Sequence, residues 1–316
     1  MRRIVGAALL LIGAALLAWS VWPKPRPARP YEAHLAPAPA DALQDAAGFG
    51  VTPENLLEME VRAPERLRPV ATGLVARDDA GLLTPLVWRN EVTEPIFFAD
   101  VSAVDAQKVL AAIREHIPQD AVTLAWWDLS RAIQLVAGRA APLDDAKARG
   151  LLLPAGWDRA WEHARWGAGA DKASSETFDR FIDALLLTDE KQAAEKLKEL
   201  AGGKPAYVAV HISDVWKAAA ARPERLAVAY KDFASAGVSH GLIKSAQQWL
   251  REERIEGGYA VEPMGGATRL HYFPRKSDGD TLIARLLPFS TSNPARLDGL
   301  QLVYQHKGWW IYKLAD

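Results

Sequence analysis

Apolar residues in this chain alternate between two periods, and the change from one to the other outlines a body of helices and strands. Val109, Leu110, Ile113 and Ile117 recur at helical spacing, and Pro118 ends the run. Phe178, Phe181, Ile182, Leu185 and Leu186 fall at i, i+3, i+4, i+7 and i+8, which predicts an amphipathic helix. A second helix is expected over Asp189–Leu200, capped by Thr188 and stopped at Gly202-Gly203. Leu242, Ala246, Trp249 and Leu250 mark another. Leu282, Ile283, Leu286 and Leu287 mark the last, with Ser277 and Asp280 as its capping box.

Strands follow the other period. Leu82–Trp88, Pro95–Ala99 and Leu151–Leu153 are short apolar runs, and Glu54–Arg62 is either a short helix or a strand. Ala206–Ile212 is apolar on both faces, the mark of a central strand covered by helices on each side. Tyr259–Glu262 and Thr268–Phe273 form one hairpin across glycines. Leu300–Gln305 and Trp309–Leu314 form another across His306-Lys307-Gly308. Trp157–Trp166 reads as a short aromatic helix. The fold class is therefore α/β, a mixed sheet covered by helices, with antiparallel C-terminal hairpins.

Two segments precede that body. Ile4–Trp22 is nineteen residues without a charge, long enough to cross a bilayer, with Trp19 and Trp22 at its end. Bulky residues follow at once, so it is expected to stay as an uncleaved anchor. Residues 23–40 are rich in proline and alanine and read as an extended spacer. The expected layout is a transmembrane anchor over 1–22, a spacer over 23–40 and a body over 41–316. A short positive N-terminus stays inside, which puts the body in a periplasm and the chain in the inner membrane as a single-pass protein.

Composition narrows the chemistry. The net charge is −1, so no basic field gathers nucleic acid. The chain has no cysteine, which excludes disulfides, covalent c-type haem, iron–sulfur clusters and cysteine-held zinc. No histidine pair has metal-site spacing, so neither a metal nor another cofactor is expected. Nucleophile-elbow, phosphate-loop and dinucleotide motifs are missing, so catalysis by the chain itself is not expected.

The stretch that stands out is Ala121–Ala140, AVTLAWWDLSRAIQLVAGRA. It reads as a strand over Thr123–Trp127, then a helix over Asp128–Ala137 capped by Asp128 and stopped by Gly138. The carboxyl end of a strand in an open α/β sheet is where such folds bind ligands. Trp126, Trp127 and Asp128 are candidates for an aromatic shelf with a carboxylate at its edge. A buried tryptophan and a plain helix cap account for the same residues. Arg131 lies at i+3 from Asp128 and can pair with it. Arg139 and Asp145 flank the loop after the helix as candidate cleft charges, or are solvated surface. His211 lies in the buried strand, as a ligand contact or a hydrogen-bonded core residue. Trp309 and Trp310 point to opposite faces of the last hairpin, one inward and the other a candidate partner contact.

Two family resemblances attach to these residues. The run IREHIPQDAVTLAWWDLSRAIQLVAGRAAPLDD resembles the WWDYG region of oligosaccharyltransferase catalytic subunits, and the likeness extends over residues 105–212. That resemblance implies a peptide- or glycan-binding module with Trp126, Trp127 and Asp128 at the acceptor site. WWDYG is here WWDLS, and the family's many-span membrane domain has no counterpart. The single span, the proline-rich spacer, WWDLSRxIxLxxGR and ISDVWKxxxxRPER (Ile212–Arg225) resemble the hydroxylamine oxidation protein family HaoB. This second resemblance implies a non-catalytic accessory role in periplasmic hydroxylamine oxidation. The implied partner is a multihaem c-type cytochrome, hydroxylamine oxidoreductase. A third class, a hydrolase using Asp128 and His211, is left by the residues alone.

Overall fold

In a computed structural model, the description covers residues 32–63, 66–79, 81, 83–92, 99–144, 172–234, 240–264 and 266–315. The expected anchor Ile4–Trp22, the strand Leu151–Leu153, the helix Trp157–Trp166, most of Pro95–Ala99 and Asp145 lie outside these residues. Among the described residues, no helix is long and apolar enough to cross a membrane.

The element that organises the rest is β6 (Ala206–His211), buried at every position. It pairs in parallel with β5 (Val122–Ala125) and antiparallel with β11 (Trp309–Leu314). β11 pairs in turn with β10 (Leu300–His306), giving the order β10-β11-β6-β5. Successive side chains of β6 serve opposite faces, as the pleat requires. Tyr207 and Ala209 join a core with Val109, Leu110 and Ile113 of α2 (Ala103–His116) and with Leu129 and Ile133. Val208 and Val210 join another with Phe178, Phe181, Ile182 and Leu185 of α4 (Lys172–Leu185) and with Leu197 of α5 (Glu190–Leu200). Helices thus cover both faces, and the apolar run has the central place that its pattern predicts.

The helix starts differ in detail from the pattern. Ser102 caps α2, its hydroxyl accepting from the Asp105 amide at 3.1 Å. Asp189 rather than Thr188 caps α5, accepting from the Gln192 amide. The Ser277/Asp280 box does not form. Instead α8 (Lys276–Gly279) and α9 (Leu282–Arg285) are separate turns, with Thr281 at the second start.

The single mixed sheet becomes three sheets. An antiparallel sheet, β1-β2-β3-β4, is built from Glu32–Pro37, Leu56–Arg62, Ala71–Arg77 and Leu83–Asn90. β1 is a correction to the spacer expected over 23–40, since His34, Leu35 and Ala36 pair in register with Glu60, Met59 and Glu58. Proline and alanine do not forbid an edge strand, where only one ladder of hydrogen bonds is needed. After β1 comes the short α1 (Ala40–Ala46). The third sheet has the order β7-β9-β8, from Ala229–Phe233, Ala267–Tyr272 and Tyr259–Met264. α7 (His240–Glu252) packs on it through Ala246 and Leu250 against Leu270.

Candidate functional site

β5 and β6 run in parallel side by side, with Ala125 opposite Ala209, and each feeds a helix. β5 leads into α3 (Trp127–Ala132), which continues as a π-helical turn over Ile133–Ala137 and stops at Gly138 in the left-handed region, φ 60°. β6 leads into α6 (Asp214–Ala221). The first turns of both helices therefore meet beyond the carboxyl ends of neighbouring strands, the usual place for a site in such a sheet.

What meets there is a buried charge cluster. Lys217 of α6 donates to both carboxylate oxygens of Asp128, at 3.0 and 3.1 Å, and its Nζ lies 2.8 Å from Asp214 Oδ1. Asp214 Oδ2 accepts from the His211 amide at 2.8 Å. The Lys217 side chain is 1% exposed, Asp128 8% and Asp214 3%, so solvent screens none of them. Lys217 Nζ also lies 5.6 Å from the centre of the Trp126 ring, within cation–π range. Burial works against the Lys217 charge, but the two carboxylates outweigh it and hold the ammonium above its ordinary pKa. Burial also raises Asp128, an effect that Lys217 offsets in part and Asp214 reinforces.

His211 closes one side. Its Nδ1 accepts from the Ser213 amide at 3.1 Å and lies 3.0 Å from the Ser213 hydroxyl. An amide can only donate, so Nδ1 is the unprotonated nitrogen and the proton of the neutral ring sits on Nε2. Burial lowers its pKa to about 4. The ring packs 4.7 Å from that of Trp309. Beyond α6 the polar contacts continue. Trp216 Nε1 donates to His271 Nδ1 at 3.2 Å, and His271 Nε2 lies 2.9 Å from Glu262 of β8.

Several sequence expectations change here. Asp128 is not the N-cap, since Trp126 holds that place with extended backbone (φ −60°, ψ 153°). The Asp128 carboxylate lies inside the first turn and accepts from Lys217 through both oxygens. Trp126 and Trp127 are buried, 1% and 4% exposed, so they form no solvent-facing shelf. Arg131 makes its ion pair with Asp78, at 3.7 Å. Arg139 belongs to the far end of the helix. It donates to the carbonyls of Ile117 at 2.8 Å and of Arg114, and to the Gln119 side chain at 2.6 Å, so it ties down the end of α2. His211 is a hydrogen-bonded core residue beside the cluster. Trp309 packs inward and Trp310 is half-buried against the core.

Lys217 and Asp214 were not singled out by sequence reasoning. The signal was present in DVWKAAAA, where two charges at i and i+3 are the only polar residues of an apolar helix. On such a helix a lone acid and base have no polar face to occupy.

The family described as HaoA-associated protein HaoB matches residues 1–314. No curated protein matches the chain. Among solved structures, the C-terminal globular domain of an oligosaccharyltransferase from Archaeoglobus fulgidus is similar at 12% identity. The match covers 68% of this chain and 99% of that one, with a TM-score of 0.36.

Proposed function

The chain belongs to the HaoA-associated protein HaoB family, and on that membership we propose that it is a non-catalytic accessory protein that binds hydroxylamine oxidoreductase. The coarse role, an association with hydroxylamine oxidation, comes with the family. The finer reading is that the chain tethers the multihaem enzyme near the membrane. In that reading Ile4–Trp22 is the anchor and the body stands in the periplasm.

The family match over residues 1–314 is the observation that carries this reading. The site is consistent with it. A lysine held between two carboxylates, all three buried, pins α6 to α3 and suits a rigid scaffold. The reading as a peptide- or glycan-binding module needs Trp126, Trp127 and Asp128 open to a ligand, and burial speaks against that.

The experiment is a pull-down of detergent-solubilised, full-length protein from its native membrane, read by haem absorbance and mass spectrometry. A stoichiometric multihaem partner is expected. A pure protein without haem defeats the reading. Deleting residues 1–22 is expected to release the chain, with its partner, into the soluble fraction.

A further inference from the structure

The third sheet has two unlike faces. Leu270, Val261 and Tyr272 pack on the α7 side. By register the alternate residues share the other face: Arg269 and His271 of β9, Glu262 of β8, and Tyr230 and Asp232 of β7. Arg269 and His271 are buried, so this polar face is covered. α6 lies over it, with the Trp216 ring 6.0 Å from those of both Tyr230 and His271. Trp216 and Lys217, neighbours in α6, thus hold different partners: Trp216 the third sheet, and Lys217 the carboxylates of Asp128 and Asp214.

His271 joins two elements through its two nitrogens. Nδ1 accepts from Trp216 Nε1 at 3.2 Å, and an indole N–H can only donate. Nδ1 is therefore the bare nitrogen, and the proton of the neutral ring sits on Nε2, 2.9 Å from Glu262 Oε2. The other charges on this face are paired, Arg269 donating to both oxygens of Asp232 at 2.8 Å. Burial works against the Glu262 charge, but His271, His211 and Arg269 outweigh it and hold the carboxyl below its ordinary pKa. A second proton on the ring can go only to Nδ1. There it faces an N–H that has no lone pair to offer, and the bond to Trp216 is lost. The same proton turns the Nε2 contact with Glu262 into a charge-assisted bond, which is the stronger kind.

We propose that His271 is a proton-operated joint between the third sheet and α6. One protonation tightens β9 on β8 and releases β9 from Trp216, so in acid the sheet loosens from α6 while staying intact itself.

The test follows the indole N–H signals of the ¹⁵N-labelled full-length protein in detergent from pH 8 to pH 5, the range in which histidines commonly titrate. His211, lowered to about 4 by burial, stays neutral through most of that range. The Trp216 signal is identified by its loss in Trp216→Phe. It is expected to move along one titration curve, and at pH 5 its hydrogen exchange, corrected for the intrinsic pH dependence, should be faster on the order of tenfold, one hydrogen bond's worth. Amide protection in β8 and β9 should hold. Glu262→Gln should lower the midpoint by about one pH unit or more. His271→Asn, which keeps an acceptor for the indole but cannot titrate, should abolish the movement; if it does not fold, Glu262→Gln carries the test. A Trp216 signal that does not titrate overturns the proposal. So does equal movement in folded His271→Asn, an unmoved midpoint in Glu262→Gln, or loss of β8 and β9 protection in the same step, which would make the event unfolding.

Discussion

Lys217 bonds both carboxylate oxygens of Asp128, 89 residues earlier in the chain, at 3.0 and 3.1 Å. The parallel pairing of β5 with β6 makes this possible, because it brings the starts of two helices together. The bond joins α3 to α6 across the end of the sheet, with Asp214 as a second anion on the same ammonium.

Lys217→Met leaves two carboxylates buried with no cation. The expected loss is about 3–5 kcal/mol of unfolding free energy, measured by urea denaturation. Replacing all three charges together, as Asp128→Leu, Asp214→Leu and Lys217→Met, is expected to recover most of that loss, since apolar residues of similar size often replace a buried ion pair without cost.

Asp128→Ala and Ser102→Ala separate an ion-pair role from a capping role. Ser102 is a plain N-cap, and its removal is expected to cost about 1 kcal/mol. Asp128→Ala takes a partner from a buried ammonium and is expected to cost about 3 kcal/mol or more. Equal losses in the two variants would make Asp128 no more than a helix-start residue.

Stability should fall in acid through His211. Its pKa drops from 6.5 unfolded to about 4 in the folded protein. The unfolded chain therefore binds the extra proton between those values, and unfolding free energy decreases as pH falls through the window. At 1.36 kcal/mol per pKa unit the loss is about 3 kcal/mol by the lower end. Asp128, raised by burial, acts in the opposite sense. The useful measurement is the difference in pH slope between the wild type and His211→Asn, which should be shallower in the variant.

Gly308 sits in the hairpin turn at φ +82°, and a Cβ there would lie 2.5 Å from His211 Nε2. Gly308→Ala should cost at least about 1–2 kcal/mol from the backbone alone. The contact with His211 adds to that, so Gly308→Ala combined with His211→Ala is expected to cost less than the two single losses summed. Strict additivity in thermal denaturation would mean the two residues do not press on each other.

The residue pattern carried the helices and hairpins of the body. Helical periodicity placed α2, α4 and α7, a cap and a glycine stop placed α5, and the apolar run of β6 placed the central strand, because a strand buried on both faces is apolar throughout. Three strands escaped it. β1 hid in proline and alanine, β3 carries Thr72 and Gly73 among its apolar residues, and β7 is the largely polar AYKDF. Their partners, not their own sequence, make them strands. At the site, Asp128 read as a cap because a cap is the local explanation of an acid near a helix start. Its real partner lies on another helix, and only the strand pairing brings it near. The WWD residues lie at or beside the buried charge cluster, but buried aromatics and exposed ones look the same in a sequence.

β11 has one more consequence, for synthesis on the ribosome. Trp309 pairs with His211, so β6 keeps an open, apolar edge until the chain has grown by roughly a hundred residues more. At roughly 5–20 residues per second that interval is about 5–20 s. During it His211 lacks the Trp309 ring that packs against it. A nascent chain of this protein is thus most prone to aggregate through β6, and a holding chaperone would find its target there.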